Sequence, residues 1–265
     1  MSDTMKKASI SIRVLGAHSS ESQKARCISF LINDNLAIDA GGLTSTLPVS
    51  AQCRIKWLLL THQHFDHIKD LPALALNCFH AASSMTVVCT DDTMKALKRH
   101  IFNGSLFPKF YQIPSAKPTL QFEMIEPYLT RPIGEFEIMA VPMEHPQGSI
   151  GYSISNSEGK SVFYTGDTGP GLSRCWKLVS PRLLITEVTL PDSYKDFALS
   201  TRHLTPRSLG VELVAYKTIK GDFPKVVVTH MYPEFESQIA EEIKFLSDTL
   251  GVTIEISYEG MRIEI

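Results

Sequence analysis

From Thr61 to His67 the chain reads Thr-His-Gln-His-Phe-Asp-His, so three imidazoles and a carboxylate fall between His62 and His67. Imidazole and carboxylate are borderline-to-hard ligands that suit zinc, manganese or iron. An open catalytic site takes about three protein ligands, so four donors in one stretch point to two adjacent cations. Three more donors stand singly further on. His145 follows the apolar run 137–141, Asp167 lies in the turn Gly166 to Gly169 after 161–165, and His230 follows 226–229. Any one of them alone is a weak signal.

The elements that must place these groups can be read around them. Trp57 to Leu60 is an apolar run of the kind that forms a buried strand, and a helix begins near Ile68 and runs to about Ala82. The donors therefore sit on a strand-to-helix loop at a sheet edge, where α/β proteins place ligands. Upstream, 10–15 alternates as a strand ended by Gly16, and 26–32 and 36–39 form a hairpin around the turn 33–35. Asp39 closes that hairpin on the side where His62 emerges. It suits either a hydrogen-bond partner for a metal-bound histidine or a plain turn.

Downstream come a strand at 85–89 and a helix through His100 capped by Asp91 or Asp92. Strands follow at 119–125, 134–141, 149–155, 161–165 and 182–187. A helix near 205–219, a strand at 225–229, a helix near 235–249 and short terminal strands complete the chain. Two β-rich halves, each followed by helices, predict a layered sandwich with helices outside. Residues 101–118 break the rhythm with Gly, Pro and aromatics. They suit a wall over the site, where Phe107, Phe110 or Tyr111 would stack on a flat ring and Lys109 would meet an anion. They also suit, slightly better, a loop whose aromatics pack into the core. His18, His80 and His100 have no neighbouring ligand types and read as ordinary surface or core histidines.

A chain of 265 residues buries a substantial core, and one domain spanning 1–265 is the simplest expectation. The formal net charge of −2 gives no global argument for a polyanion or an anionic membrane. The five cysteines are scattered and lack a CxxC, which argues against a disulfide framework and a thiolate zinc site and for a reducing cytoplasm. Met1 to Lys7 is polar, without the apolar core of a signal peptide. No run approaches the roughly 20 apolar residues of a membrane span.

The pattern His62-x-His64-x-Asp66-His67 resembles the HxHxDH signature of the metallo-β-lactamase-fold hydrolases, and His145, Asp167 and His230 match that family's later metal motifs in order. The resemblance implies an αββα sandwich. It implies one metal on His62, His64 and His145, a second on Asp66, His67 and His230, and Asp167 bridging both. Two such cations activate a shared water and clamp a phosphoryl group. In flavodiiron relatives the position of His64 is usually a carboxylate, so a histidine favours the hydrolytic branch. Hydrolytic β-lactamases often carry Cys where Asp167 stands, which points here toward phosphoesters or thioesters.

Glu187, at the end of a strand, and His203, in Thr201 to Pro206, match the positions that tRNase Z and class II cyclic-nucleotide phosphodiesterases use for a carboxylate-oriented proton donor. No Gly-rich, basic arm for tRNA is visible. Segments around His100 to Asn103, Gly166 to Pro170 and His203 to Pro206 look similar to bacterial class II-like phosphodiesterases.

The sequence thus predicts a cytoplasmic phosphodiesterase that hydrolyses a 3′,5′-cyclic nucleotide by metal-hydroxide attack on phosphorus. Asp66, Glu187 and His203 would be its catalytic residues, and Phe107, Lys109 and Tyr111 would contact substrate. Two divalent cations are implied, zinc first, with manganese or iron as alternatives. The partner is a small phosphodiester, without membrane or nucleic acid, and a homodimer is one open assembly state. A tRNase Z-like or other small phosphodiesterase is the alternative enzyme. A di-iron oxygen-sensing or redox protein is the alternative of another class.

Overall fold

Strands that are buried on both faces organise this chain, because their apolar residues alternate between two different cores. A computed structural model describes residues 9–265; the polar stretch Met1 to Lys7 lies outside them. In Leu58-Leu59-Leu60 the middle residue faces a core between two sheets and its neighbours face a helical layer. Leu183, Leu184 and Ile185 divide likewise between the central core and a second helical layer.

The strands are β1 Ser11–Gly16, β2 Ser29–Ile32, β3 Leu36–Ile38, β4 Trp57–Leu59, β5 Met85–Cys89, β6 Leu120–Met124 and β7 Thr130–Ile133. They continue with β8 Phe136–Pro142, β9 Ile150–Ser155, β10 Ser161–Tyr164, β11 Leu183–Glu187, β12 Lys225–Thr229, β13 Ile254–Ile256 and β14 Arg262–Glu264. They form two seven-stranded mixed sheets, ordered β14-β1-β2-β3-β4-β5-β6 and β13-β12-β11-β10-β9-β8-β7. In each sheet an antiparallel part gives way to a parallel one: β3 to β6 in the first, β10 to β13 in the second.

The helices are α1 Leu43–Thr46, α2 Val49–Gln52, α3 Phe65–Ile68, α4 Leu71–His80, α5 Asp91–Ala96, α6 Lys195–Thr201, α7 Pro206–Lys220 and α8 Glu236–Leu250. Residues of α1, α2 and α4 cover the first sheet, while Leu209, Leu213, Ile239 and Ile243 of α7 and α8 cover the second. This is the αββα sandwich expected from the sequence. Some details differ. Thr90, not Asp91 or Asp92, caps α5, its side chain accepting from the Thr93 amide. The HxHxDH stretch is not all loop, since Asp66 and His67 lie on the short turn α3. Strand β7 and helix α6 have no counterpart in the sequence reading.

The cysteines are all free, and all but Cys53 are buried, as the sequence suggested. His18 is a core histidine, its Nδ1 2.8 Å from Glu259. Among the described residues, no helix is long and apolar enough to cross a membrane.

Candidate metal centre

The seven donors gather because their segments all leave the carboxyl ends of strands at one edge of the sandwich. His62 follows β4, His145 follows β8, Asp167 follows β10 and His230 follows β12. Two cross-sheet ties hold that edge together: the Tyr152 hydroxyl donates to the Leu60 carbonyl at 2.8 Å, and the Ile150 amide donates to the Thr61 carbonyl at 3.1 Å. At Gly166 φ is +61°, and a Cβ would lie 3.0 Å from the Thr61 side chain, so this turn requires glycine to deliver Asp167. His230 and Asp39 take positive φ without being glycine, at 64° and 53°. Such backbone persists only where its surroundings enforce it.

Within the cluster two groups of donor atoms each lie within 4.8 Å of one another: His62, His64, His145 and Asp167, and Asp66, His67, Asp167 and His230. Asp167 belongs to both, and its two oxygens divide between them. Oδ2 faces His62 Nε2 at 3.7 Å and His145 Nε2 at 3.6 Å, while Oδ1 faces His67 Nε2 and His230 Nε2, each at 3.2 Å.

Outer hydrogen bonds fix which nitrogen each imidazole turns inward. His67 Nδ1 donates to Asp39 at 2.8 Å. His145 Nδ1 donates to the Arg202 carbonyl at 3.0 Å, and the Arg202 guanidinium returns a bond to the His145 carbonyl at 2.8 Å. His230 Nδ1 lies 2.9 Å from Thr189 Oγ1 and His62 Nδ1 lies 3.1 Å from Thr61 Oγ1. Both hydroxyls spend their own proton on a carboxylate, Glu187 and Asp39 respectively, so they accept from the rings. All four Nε2 atoms are thereby left with lone pairs pointing at the cluster.

Those lone pairs need something positive. His67 Nε2 and His230 Nε2 are 3.3 Å apart, and His145 Nε2 is 3.2 Å from His64 Nδ1. His62 Nε2 and Asp167 Oδ1 are buried without a hydrogen-bond partner. Buried polar atoms are rarely left so. The residues therefore fit divalent cations, by donor type, tautomer and convergence.

The electrostatics favour neutral imidazoles in the first group of donors and concentrate negative charge around His67 in the second. Burial, then the neighbouring His67, pushes His62 well below the ordinary imidazole range, and burial lowers His64 and brings His145 down to about 4. Burial also opposes charge on His67, but Asp167, Asp39 and Asp66 outweigh it and hold that ring well above the ordinary value. Burial alone would raise Asp167, yet His230 and His67 keep it well below the usual carboxylate range.

Beside the cluster, His203 Nδ1 bonds Glu187 Oε1 at 2.8 Å. Glu187 is fully buried and accepts further bonds from the Thr168 amide, the Thr189 hydroxyl and the Leu204 amide. Burial works against protonation of His203, but the Glu187 charge and hydrogen bond prevail and raise it to about 9. Asp39 is the matching carboxylate on the first sheet, where it also accepts from the Thr61 amide and the Tyr164 hydroxyl.

A cavity of about 270 Å³ opens over the donors, lined by His64, Asp66, Asp167, His203, His230 and the aromatics Phe197 and Tyr232. Phe107, Lys109 and Tyr111 are not among its lining residues. Phe107 and Tyr111 pack on the core under the first helical layer, and Lys109 is exposed. The aromatics of that stretch serve packing, and the rings that face the cavity come from elsewhere in the chain. Sequence reasoning also left Thr189 and Arg202 without a role. Thr189 lies two residues past Glu187, but a threonine hydroxyl at that spacing carries no signal of its own in the sequence.

The comparisons with known proteins agree with this geometry. Residues 35–231 match the model of the Beta-lactamase superfamily domain. A 3′,5′-cyclic-nucleotide phosphodiesterase of Aliivibrio fischeri is 26% identical over 187 residues, 63% of this chain and 55% of that protein. One of Schizosaccharomyces pombe is 24% identical over 263 residues, 86% of this chain and 74% of that protein. The chain thus spans little more than half the length of the bacterial relative. The crystal structure of unliganded yeast PDE1 superposes with a TM-score of 0.82 at 17% identity, covering 98% of this chain and 100% of that one. With its family model matched over most of its length and its fold shared with yeast PDE1, the chain belongs to the β-lactamase superfamily and has the metallo-β-lactamase fold.

Proposed function

We propose that this protein is a metal-dependent phosphodiesterase that opens a 3′,5′-cyclic nucleotide. The observation that carries the reading is the juxtaposition of His203, fixed by Glu187 at 2.8 Å, with a donor cluster whose central Asp167 shares its two oxygens between two ligand groups. His62, His64 and His145 would hold one cation, Asp66, His67 and His230 the other, and Asp167 both. When bound, two divalent cations supply Lewis acidity toward a phosphoryl oxygen and acidify a water enough to attack phosphorus near neutral pH.

The protein's own residues supply the rest. Glu187 occupies Nδ1 of His203, so Nε2 is the nitrogen left to serve the cavity. A ribose alkoxide is strongly basic and needs a proton as it departs, and a histidine held protonated by a buried carboxylate can give it. Asp66 is the carboxylate of the second set that reaches the cavity, and its Oδ2 lies 2.9 Å from His230 Nε2, as two ligands of one cation would. Thr189 joins the two functions, because its hydroxyl donates to Glu187 and accepts from His230. The names of the relatives support the cyclic-nucleotide substrate.

The test is a substrate panel on protein loaded separately with zinc, manganese and iron. Cyclic nucleotides, precursor tRNA and a chromogenic phosphodiester are compared, with products identified. Ring opening to a nucleoside monophosphate is the expected result. Faster processing of tRNA, or a coloured iron protein inert toward every phosphodiester, would replace the proposal with one of its alternatives.

A further inference from the structure

The cavity over the donors is lined by two kinds of group: charged and imidazole side chains, and Leu190 with the rings of Phe197 and Tyr232. Phe197 is 58% exposed and Tyr232 40% exposed, and both line the cavity that holds the donors. Both are held from behind. Phe197 rides on α6, whose end is fixed where the His203 amide donates to the Ala198 carbonyl at 2.8 Å. The Tyr232 amide donates to the Thr189 carbonyl at 3.0 Å, and its ring rests on Phe235, centroids 5.7 Å apart. Neither ring fills a core, so their exposed faces are available to something flat.

The uncharged polar side chains of the lining offer little to read with. The Thr189 hydroxyl is committed to Glu187, and the Thr201 hydroxyl donates to the Phe197 carbonyl at 2.9 Å. What remains is the Tyr232 phenol and Ser19 Oγ, which is buried without a hydrogen-bond partner. A hydroxyl both donates and accepts, so neither group distinguishes one base edge from another.

We propose that Phe197 and Tyr232 form a stacking subsite for the nucleobase, with Ser19 Oγ as its polar contact, and that this subsite grips purine rings by their faces without choosing between them. The proposal rests on the phosphodiesterase reading and deepens it. Stacking on aromatic side chains tolerates any base, because every base has a π-face.

The experiment measures KM and kcat for 3′,5′-cyclic AMP, 3′,5′-cyclic GMP and the abasic ribose 3′,5′-cyclic phosphate, which keeps the same leaving group and lacks the base. Wild type, Phe197→Ala, Tyr232→Ala and Phe197→Trp are compared after each is shown to keep its metal content and melting temperature. The exposure of both rings makes folding defects an unsuitable explanation for any loss. In each alanine variant KM for the cyclic nucleotides should rise about 5- to 100-fold more than KM for the abasic compound, the range that base stacking confers. Phe197→Trp should restore it, and the two cyclic nucleotides should have similar KM in wild type. Adenosine should bind wild type in calorimetry and lose that binding in both alanine variants. If all substrates suffer alike, or the KM ratio does not move, the stacking subsite is wrong while the phosphodiesterase reading stands. If wild type itself cleaves no cyclic nucleotide, that reading fails and the subsite falls with it.

Discussion

Asp39–His67 and Glu187–His203 are the same interaction built twice, once on each sheet. In both, a fully buried carboxylate receives Nδ1 of a histidine at 2.8 Å and several further hydrogen bonds. The pairs differ in what the other nitrogen meets. His67 is wholly buried, and its Nε2 faces Asp66, Asp167 and His230. The His203 side chain is 16% exposed and lines the open cavity. A carboxylate makes a histidine both oriented and basic, and the direction of the free nitrogen decides which property is used. Pointed into converging donors, it makes a ligand. Pointed at an open cavity, it is free to give a proton in the proposed reaction.

The comparison predicts a graded set of losses. Asp167→Asn touches the oxygen pair on which both ligand groups depend. It should strip metal and slow turnover by about 10³-fold or more, since cation catalysis supplies several kcal/mol. Metal analysis beside kinetics checks this, and an Asn variant that kept both cations and full activity would remove Asp167 from the site. Next in size, His203→Ala should retain its metal and lose about 10²–10⁴-fold on a cyclic nucleotide, with a much smaller loss on a p-nitrophenyl diester whose leaving group needs no proton. Equal losses on both substrates would make His203 a structural residue. Asp39→Asn should act the opposite way. It should weaken metal affinity about 10- to 100-fold, measured by chelator competition, and reduce turnover alike on both substrates once metal is in excess.

How far the sequence disclosed this arrangement follows from what each part needs. The strands were legible because two-sided burial writes them as apolar runs, as in 183–185 and 226–228. Strand β7 was not, because Thr130-Arg131-Pro132-Ile133 is a largely exposed edge and carries a proline. Helix α6 was not, because it buries only Ala198 and so shows no apolar stripe. Its purpose is positional: it ends at Arg202 with φ +60°, beside His203, and hands a carbonyl to His145. The seven converging side chains could be read because four of them crowd one stretch and the others follow strands. Of their outer partners only Asp39 stood out. A carbonyl such as that of Arg202 is present at every residue, and threonine hydroxyls such as those of Thr61 and Thr189 become informative only in three dimensions. The aromatics misled for a related reason: a ring in the sequence has no sign saying whether it will meet the core, as Phe107 does, or a cavity, as Phe197 does.

The smallest expected effect is also the one that best separates the two pairs. Burial opposes a charge on His203 and Glu187 imposes it, leaving the ring's pKa at about 9. A proton donor works while it is protonated, so activity on a cyclic nucleotide should hold below that value and fall as pH rises through it. Glu187→Gln keeps the shape and a hydrogen bond but removes the charge that opposes burial. The pKa must then drop, and the falling limb of the pH–rate profile must move to lower pH. At low pH, where His203 is protonated in both proteins, the variant should approach wild type more closely than His203→Ala ever does. With a p-nitrophenyl diester the limb should not move, because that leaving group does not use the proton. In Asp39→Asn the limb assigned to His203 should stay where it is, since Asp39 is paired with His67 instead. A Glu187→Gln profile that fell uniformly at every pH, without a shift, would show that the carboxylate only holds the loop, and the functional distinction between the two pairs would be lost.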